Sequence, residues 1–253
     1  MITANLTGKT ALIAGGASGI GFAAARMLGQ SGATVCINHL AGDPVAPDRI
    51  AQLRSTGIDA HAAEGDVSDP GSARIMVTNA IQTLGGLDIL INNAGTSGGA
   101  QPIAFGELDK MTEEFWQQIL STNLLGVFRC TSAAADALRA SRGAVVNTAS
   151  ISGFGVRGSS IAYAASKAAL INLTRSLSVA LAPDVRVNAV APGFVDTPWT
   201  QGWSDERRAK AVARTLLKRM AAPEDIAEAM LYLAAGAAYV TGQTIILDGG
   251  TAP

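Results

Sequence analysis

The chain is predicted to fold as a single α/β domain spanning residues 1–253, a doubly wound parallel sheet of about seven strands with helices on both faces. Three observations predict this. Short apolar runs alternate with longer stretches that carry apolar residues at helical spacing. Hydrophobic residues make up 48% of the chain and charged residues 15%, enough apolar material for strands covered on both faces. No proline-rich linker, low-complexity segment or internal repeat divides it.

The apolar runs place strands at Thr10–Ala14, Thr34–Asn38, Asp59–Ala63, Leu87–Ile91, Ala144–Thr148, Val185–Val190 and Thr244–Leu247. Between them, helices are expected over Gly19–Ser31, Val45–Thr56, Asp69–Leu84, Thr112–Ala140, Ile161–Leu181 and Pro223–Ala235. Ser68 before Asp69 and Pro70 reads as an N-cap followed by an early acid and an early proline. Thr112 before Glu113 and Glu114 reads the same way. The segment Pro198–Lys218, with Trp199 and Trp203, follows a strand and is long enough to cover a site at the carboxyl edge of the sheet.

Composition narrows the function. The net charge is −1 and there is no block of Lys or Arg, so no nucleic-acid or membrane partner is expected. The segment Met1–Thr10 is polar and has no apolar signal core. Residues 11–30 are apolar but broken by Gly15, Gly16, Gly19, Gly21 and Arg26, which suits strand, turn and helix better than a membrane span. Cys36 and Cys130 give no disulfide framework. Cys36, His39 and His61 fall short of a zinc set, so no metal is expected and Cys36 reads as a small buried strand residue. A cytoplasmic protein is expected.

The first strand runs into Gly15-Gly16-Ala17-Ser18-Gly19-Ile20-Gly21 and then a helix. Glycines allow a tight turn and close backbone approach, and the helix amino terminus offers free N–H groups to a pyrophosphate. Gly15, Ser18, Gly19, Ile20 and Gly21 are therefore candidate dinucleotide contacts of a Rossmann domain. The second strand ends Asn38-His39-Leu40-Ala41, with no acid before Asp43 and no Arg. Asn38 and His39 are candidate adenosine contacts. A missing acid removes the usual repulsion of a 2′-phosphate, which tilts the choice toward NADP over NAD.

Tyr163-Ala164-Ala165-Ser166-Lys167 begins an Ala-rich helix, and the i, i+4 spacing puts Tyr163 and Lys167 on one face. A free tyrosine has a pKa of about 10. A neighbouring ammonium favours the phenolate and brings that value toward neutrality. On its own, such a pair is more often a packed aromatic and a solvated charge.

The ordered set of motifs resembles the short-chain dehydrogenase/reductase family over nearly the whole chain. It comprises Gly15-x3-Gly19-x-Gly21, Asp66-Val67, Asn92-Asn93-Ala94-Gly95, Asn123, Ser150, Tyr163-x3-Lys167, Pro192-Gly193 and Asp248-Gly249-Gly250, with Ser150 thirteen residues before Tyr163. The resemblance implies that Tyr163 gives or takes the substrate proton while Ser150 hydrogen-bonds the reacting oxygen. Lys167 would hold the nicotinamide ribose and bias Tyr163, and Asn123 would anchor a water linking Lys167 to solvent. Asp66 and Val67 would face the adenine. Asn93, Ala94 and Gly95 would pass beside the cofactor, Pro192, Gly193 and Val195 would line it, and Thr197 would bind the carboxamide. The family also implies a homotetramer, or a dimer, with the last strand and neighbouring helices at the contacts. The stretches Ile161–Leu181 and Ala227–Ala238 are compatible with that. One local departure is Ala14, where a threonine often precedes the first glycine.

Blander readings stand beside these. Asn92 and Asn93 could stabilise a strand end, and Ser152 and Ser159 read as loop residues. Arg157 reads as a solvated surface charge, its sharper alternative being attraction of an anionic substrate. Trp199 and Trp203 could line a substrate pocket or hold the cover down. The apolar cover points to a neutral or partly apolar ketone or alcohol as substrate. A silent dinucleotide-binding regulator, or a 3-oxoacyl thioester reductase, are the alternatives.

Overall fold

The computed structural model describes residues 4–99 and 101–251; Met1 to Thr3 of the polar amino-terminal segment lie outside the described residues. The strands are β1 (Thr10–Ala14), β2 (Thr34–His39), β3 (Ala60–Glu64), β4 (Ile89–Asn92), β5 (Ala144–Thr148), β6 (Arg186–Pro192) and β7 (Thr244–Leu247). The α-helices are α1 (Gly19–Gln30), α2 (Ala46–Ser55), α3 (Pro70–Leu84), α4 (Glu113–Leu120), α5 (Gly126–Ser141), α6 (Ile161–Leu181), α7 (Pro198–Gln201), α8 (Asp205–Arg214) and α9 (Pro223–Leu231).

All seven strands pair in parallel, in the order β3-β2-β1-β4-β5-β6-β7. Successive side chains of a strand point to opposite faces, and here both faces are apolar. Ala11 and Ile13 of β1, with Ile89 and Ile91 of β4, enter one core against α1, α2 and α9 through Ala24, Leu53 and Met230. Leu12 and Ala14, with Leu90 and Val145, enter the other core against α3, α5 and α6 through Met76, Leu138 and Leu177. Cys36 lies in that second core, buried on β2. Burial pushes its thiol up to about 12, so it packs as an apolar side chain.

The chain runs outward from β1 to β3, then returns to place β4 on the other side of β1. Connections leave the carboxyl ends of β1 and β4 in opposite directions, and a crevice opens there.

Several boundaries differ from the sequence expectation. Asp69, not Ser68, caps α3: its carboxylate accepts from the Ser72 amide at 2.7 Å, while the Ser68 amide goes to Asp66 Oδ1. Thr112 caps α4 as expected, but the single helix expected over Thr112–Ala140 is broken by a wide π-helical turn at Ser121–Leu125. A second wide turn, Tyr232–Gly236, follows α9. Strands β2, β3 and β4 each extend past their apolar runs because parallel pairing continues through a polar residue, and β6 runs on through Ala191 and Pro192, which pair with Ile246 and Leu247 of β7. His39 pairs with Glu64, and Asn92 with Asn147. Among the described residues no helix is long and apolar enough to cross a membrane.

Candidate active site

The crevice is a cleft of about 1000 Å³, running from the turn after β1 past the ends of β4, β5 and β6. At one end, Ser18 holds the N-cap position of α1 without a side-chain cap, so the first N–H groups of the helix face the cleft uncapped. The turn has no room for a side chain at Gly15, Gly16 or Gly21. A Cβ on Gly21 would lie 2.1 Å from the Gly15 carbonyl oxygen and 2.7 Å from Asn93 Nδ2.

Asn38 and Asn93 hold this turn in place. Asn38 Oδ1 accepts from the Gly15 amide at 3.0 Å, and its Nδ2 donates to the carbonyls of Ala63 and Gly65. Asn38 is buried and its amide is spent, so the candidate adenosine contact acts as a tie between β1, β2 and β3. Asn93 Nδ2 donates to the Gly15 carbonyl, and its Oδ1 accepts from Thr148 Oγ1. Asn92 donates to Asn147 and Thr131, so both asparagines do brace the strand ends. Ala94, Gly95, Asp66 and Val67 also line the cleft, with His39 and Asp43 at its far end. His39 Nδ1 faces the Leu40 carbonyl at 2.9 Å; that oxygen can only accept, so Nδ1 carries a proton.

At the other end, Ser160 Oγ caps α6 by accepting from the Tyr163 amide at 3.0 Å, which sets Tyr163 in the first turn and Lys167 one turn on. Ser150 follows β5 and begins the short turn Ile151–Phe154, packed against α6. That approach needs Gly153, where a Cβ would lie 2.8 Å from the Lys167 carbonyl carbon. Ser150, Tyr163 and Lys167, 17 residues apart in sequence, thus line one cleft.

Burial pushes the Tyr163 phenol above its ordinary value, and a hydrogen bond with Ser150 pulls it back in part. This corrects the expectation that Lys167 brings the phenol down. The Lys167 ammonium sits 5.7 Å from the ring centroid and donates to the Thr148 carbonyl at 2.7 Å. Burial lowers Lys167 itself to about 8. Ser150 Oγ in turn donates to Ser152 Oγ at 3.3 Å and accepts from the Ser152 amide at 3.2 Å. Ser152, read from sequence as a loop residue, is buried against Ser150 and lines the cleft.

Asn123 lies in the wide turn between α4 and α5 and is fully buried. Its Oδ1 accepts from the Thr96 amide at 2.8 Å, while Nδ2 donates to the Thr96 carbonyl and to Ser166 Oγ. The side chain clamps the loop after β4 to α6, and both protons of its amide are spent there. A π turn at a functional residue is a common arrangement.

Beyond β6, Pro192, Gly193, Val195 and Thr197 line the cleft. The Ala221 amide donates to the Phe194 carbonyl, and the Asp196 amide to the Ala221 carbonyl, so both ends of the α7–α8 excursion are tied together. Trp199 meets the Tyr163 ring edge-on at 6.1 Å between centroids, and Trp203 meets Phe194 likewise. Both indoles line the cleft, as does Arg157. Sequence reading missed Arg207, which also lines it and stacks over Trp203 with its guanidinium carbon 3.9 Å from the ring centroid.

An open helix amino terminus at a sheet crossover, with buried Ser150 and Lys167 and half-buried Tyr163 along the same cleft, defines a nicotinamide-dependent oxidoreductase. Comparison with known proteins agrees. The family described as enoyl-(acyl carrier protein) reductase matches residues 15–252. The cis-4-hydroxycyclohexanecarboxylate dehydrogenase of Sinomonas cyclohexanicum is 39% identical over 96% of this chain and 96% of its own. The 3-oxoacyl-(acyl-carrier-protein) reductase FabG of Staphylococcus aureus is 34% identical over 96% and 97%. A crystal structure from Burkholderia xenovorans, described as a short-chain dehydrogenase/reductase, superposes with a TM-score of 0.88 at 34% identity, covering 96% of this chain and 97% of the other. The chain belongs to the short-chain dehydrogenase/reductase family. It is an NAD(P)-dependent enzyme that moves a hydride between the cofactor and a ketone or secondary alcohol.

Proposed function

We propose that Tyr163 is the general acid that protonates the carbonyl oxygen during reduction, and the base that takes the proton back during oxidation. The observation that carries this reading is that Ser150, Tyr163 and Lys167 line one cleft, with the Tyr163 phenol hydrogen-bonded to Ser150. Ser150 donates a second hydrogen bond to the same oxygen as negative charge develops, an electrostatic stabilisation specific to the transition state. Bound nicotinamide supplies or accepts the hydride.

The chain's own residues fit that cofactor. The glycine turn admits a close backbone approach, and the α1 amides offer donors to a pyrophosphate. Lys167 has three N–H donors and uses one on Thr148, leaving two to hold ribose hydroxyls. Thr197 opens α7 beside Gly19, where it can meet the carboxamide. Asn123 positions Thr96 and Ser166, and its main-chain carbonyl holds the water that relays protons from Lys167.

NADP(H) is the preferred form. β2 ends in Asn38 and His39 with no carboxylate, and Asp43 accepts from the Val45 amide at 2.8 Å. Titration of both reduced cofactors by fluorescence tests this; tighter NADH binding contradicts it.

The relatives' names support two substrate classes. A 3-oxoacyl thioester follows from the reductases, and a hydroxylated ring acid from the Sinomonas enzyme. A silent dinucleotide-binding protein is the weaker reading, because a binder needs neither Ser150 nor Tyr163. The apolar hollow between Leu125 of the π turn, Phe128 of α5 and Leu173 of α6 supports a homotetramer, which sedimentation would measure. Two buried free cysteines suit a reducing cytoplasm.

A further inference from the structure

The substrate wall of the cleft has an uneven charge. Its carboxylates, Asp43 and Asp66, stand at the far end by β2 and β3. At the Tyr163 end the charged side chains besides Lys167 are Arg157 and Arg207. Among the described residues neither guanidinium has a carboxylate within 4.0 Å, although three cations on or after α8 do. Arg208 binds Asp196 at 2.6 Å, Lys210 binds Glu206 at 2.6 Å, and Arg219 binds Asp225.

Arg207 is half-buried, and part of its hydration is replaced by the Trp203 ring. An indole face holds a cation but accepts none of its five N–H donors in the ring plane. The guanidinium therefore presents a planar fork of unused donors to the cleft. A carboxylate meets such a fork with two parallel hydrogen bonds. Trp199 and Trp203 supply apolar walls for the body of a ligand reaching from that fork to Tyr163.

Resting on the oxidoreductase reading above, we propose that the substrate is a keto or hydroxy acid. Its carboxylate is bound by Arg207, and Arg157 at the exposed mouth draws it in. This departs from the neutral substrate that the apolar cover suggests from sequence.

The test is a binding titration that does not depend on turnover. Quenching of tryptophan fluorescence is followed with 4-acetylbenzoate and with its uncharged analogue 4-acetylbenzamide, in the presence of saturating NADP+. The acid is expected to bind at least about tenfold more tightly than the amide, one charge-assisted pair being of that size. Arg207→Gln should erase the difference, Arg207→Lys should keep part of it, and Arg157→Gln should reduce it two- to threefold. Equal binding of acid and amide, or no binding of either, overturns the proposal. So does an acid preference that survives Arg207→Gln while only the melting temperature falls, which would make Arg207 packing for Trp203. A second pair, acetoacetyl-phosphopantetheine and acetoacetyl-N-acetylcysteamine, separates a carrier-arm phosphate from a substrate carboxylate. An Arg207-dependent preference confined to the phosphorylated thioester overturns the acid. Failure to turn over any ketone, with the acid preference intact, would instead contradict the catalytic reading.

Discussion

Lys167 donates to the main-chain carbonyl of Thr148 across 2.7 Å, joining α6 to the end of β5 beneath the cleft. That bond holds a buried ammonium whose value is lowered from 10.5 to about 8. Between those values the unfolded chain binds more protons than the folded one, so this group adds stability as pH rises from about 8 to 10.5. The full span is on the order of 3 kcal/mol. Denaturant melts of the cofactor-free wild type and Lys167→Met across that window should show their stability gap changing by this amount in favour of the wild type. A gap independent of pH would contradict the burial of the charge.

Asn123→Ala removes the amide that serves Thr96 at both its N–H and its C=O, and Ser166 at its hydroxyl. Unmet buried groups cost about 1–3 kcal/mol each, partly relieved by water, so a loss near 3 kcal/mol is expected. Hydrogen exchange at the Thr96 amide should accelerate in step. The main-chain carbonyl survives this substitution, so proton relay through it should suffer less than stability does. A variant as stable as wild type would refute the clamp.

Gly21→Ala places a methyl 2.1 Å from the Gly15 carbonyl oxygen. The turn must open, which costs about 1–3 kcal/mol of stability and displaces the α1 amides from their ligand. Cofactor affinity should fall roughly a hundredfold by calorimetry, equivalent to about 2.7 kcal/mol. Unchanged affinity would mean that the turn does not carry the pyrophosphate.

The fold was legible because both apolar periods are strong in this chain. Ile161–Leu181 matches α6 end to end, and Thr10–Ala14 matches β1. What escaped sequence reading depends on pairing in space. The π turn that seats Asn123 leaves no mark in the apolar spacing of Thr112–Ala140, which runs on through it. Asp69 outcompetes Ser68 as a cap because the Ser68 amide turns back onto Asp66. Asn38 was placed at the correct end of the correct strand, yet only the geometry reveals that Gly15, Ala63 and Gly65 consume its amide. Arg207 was invisible among the charged residues of α8, since its difference from Arg208 lies in having no acid opposite it.

The pairing of Ser150 and Tyr163 around one substrate oxygen is tested most directly by single-turnover absorbance. Wild type and Tyr163→Phe, each loaded with reduced cofactor, are mixed with a panel of ketones that includes keto acids. The wild type should oxidise the nicotinamide with at least one of them. Tyr163→Phe should bind the cofactor equally well and react about 10²–10⁴-fold more slowly. A Tyr163→Phe protein that reacts at the wild-type rate, or a wild type that binds cofactor and oxidises it with none of the panel, would contradict the account.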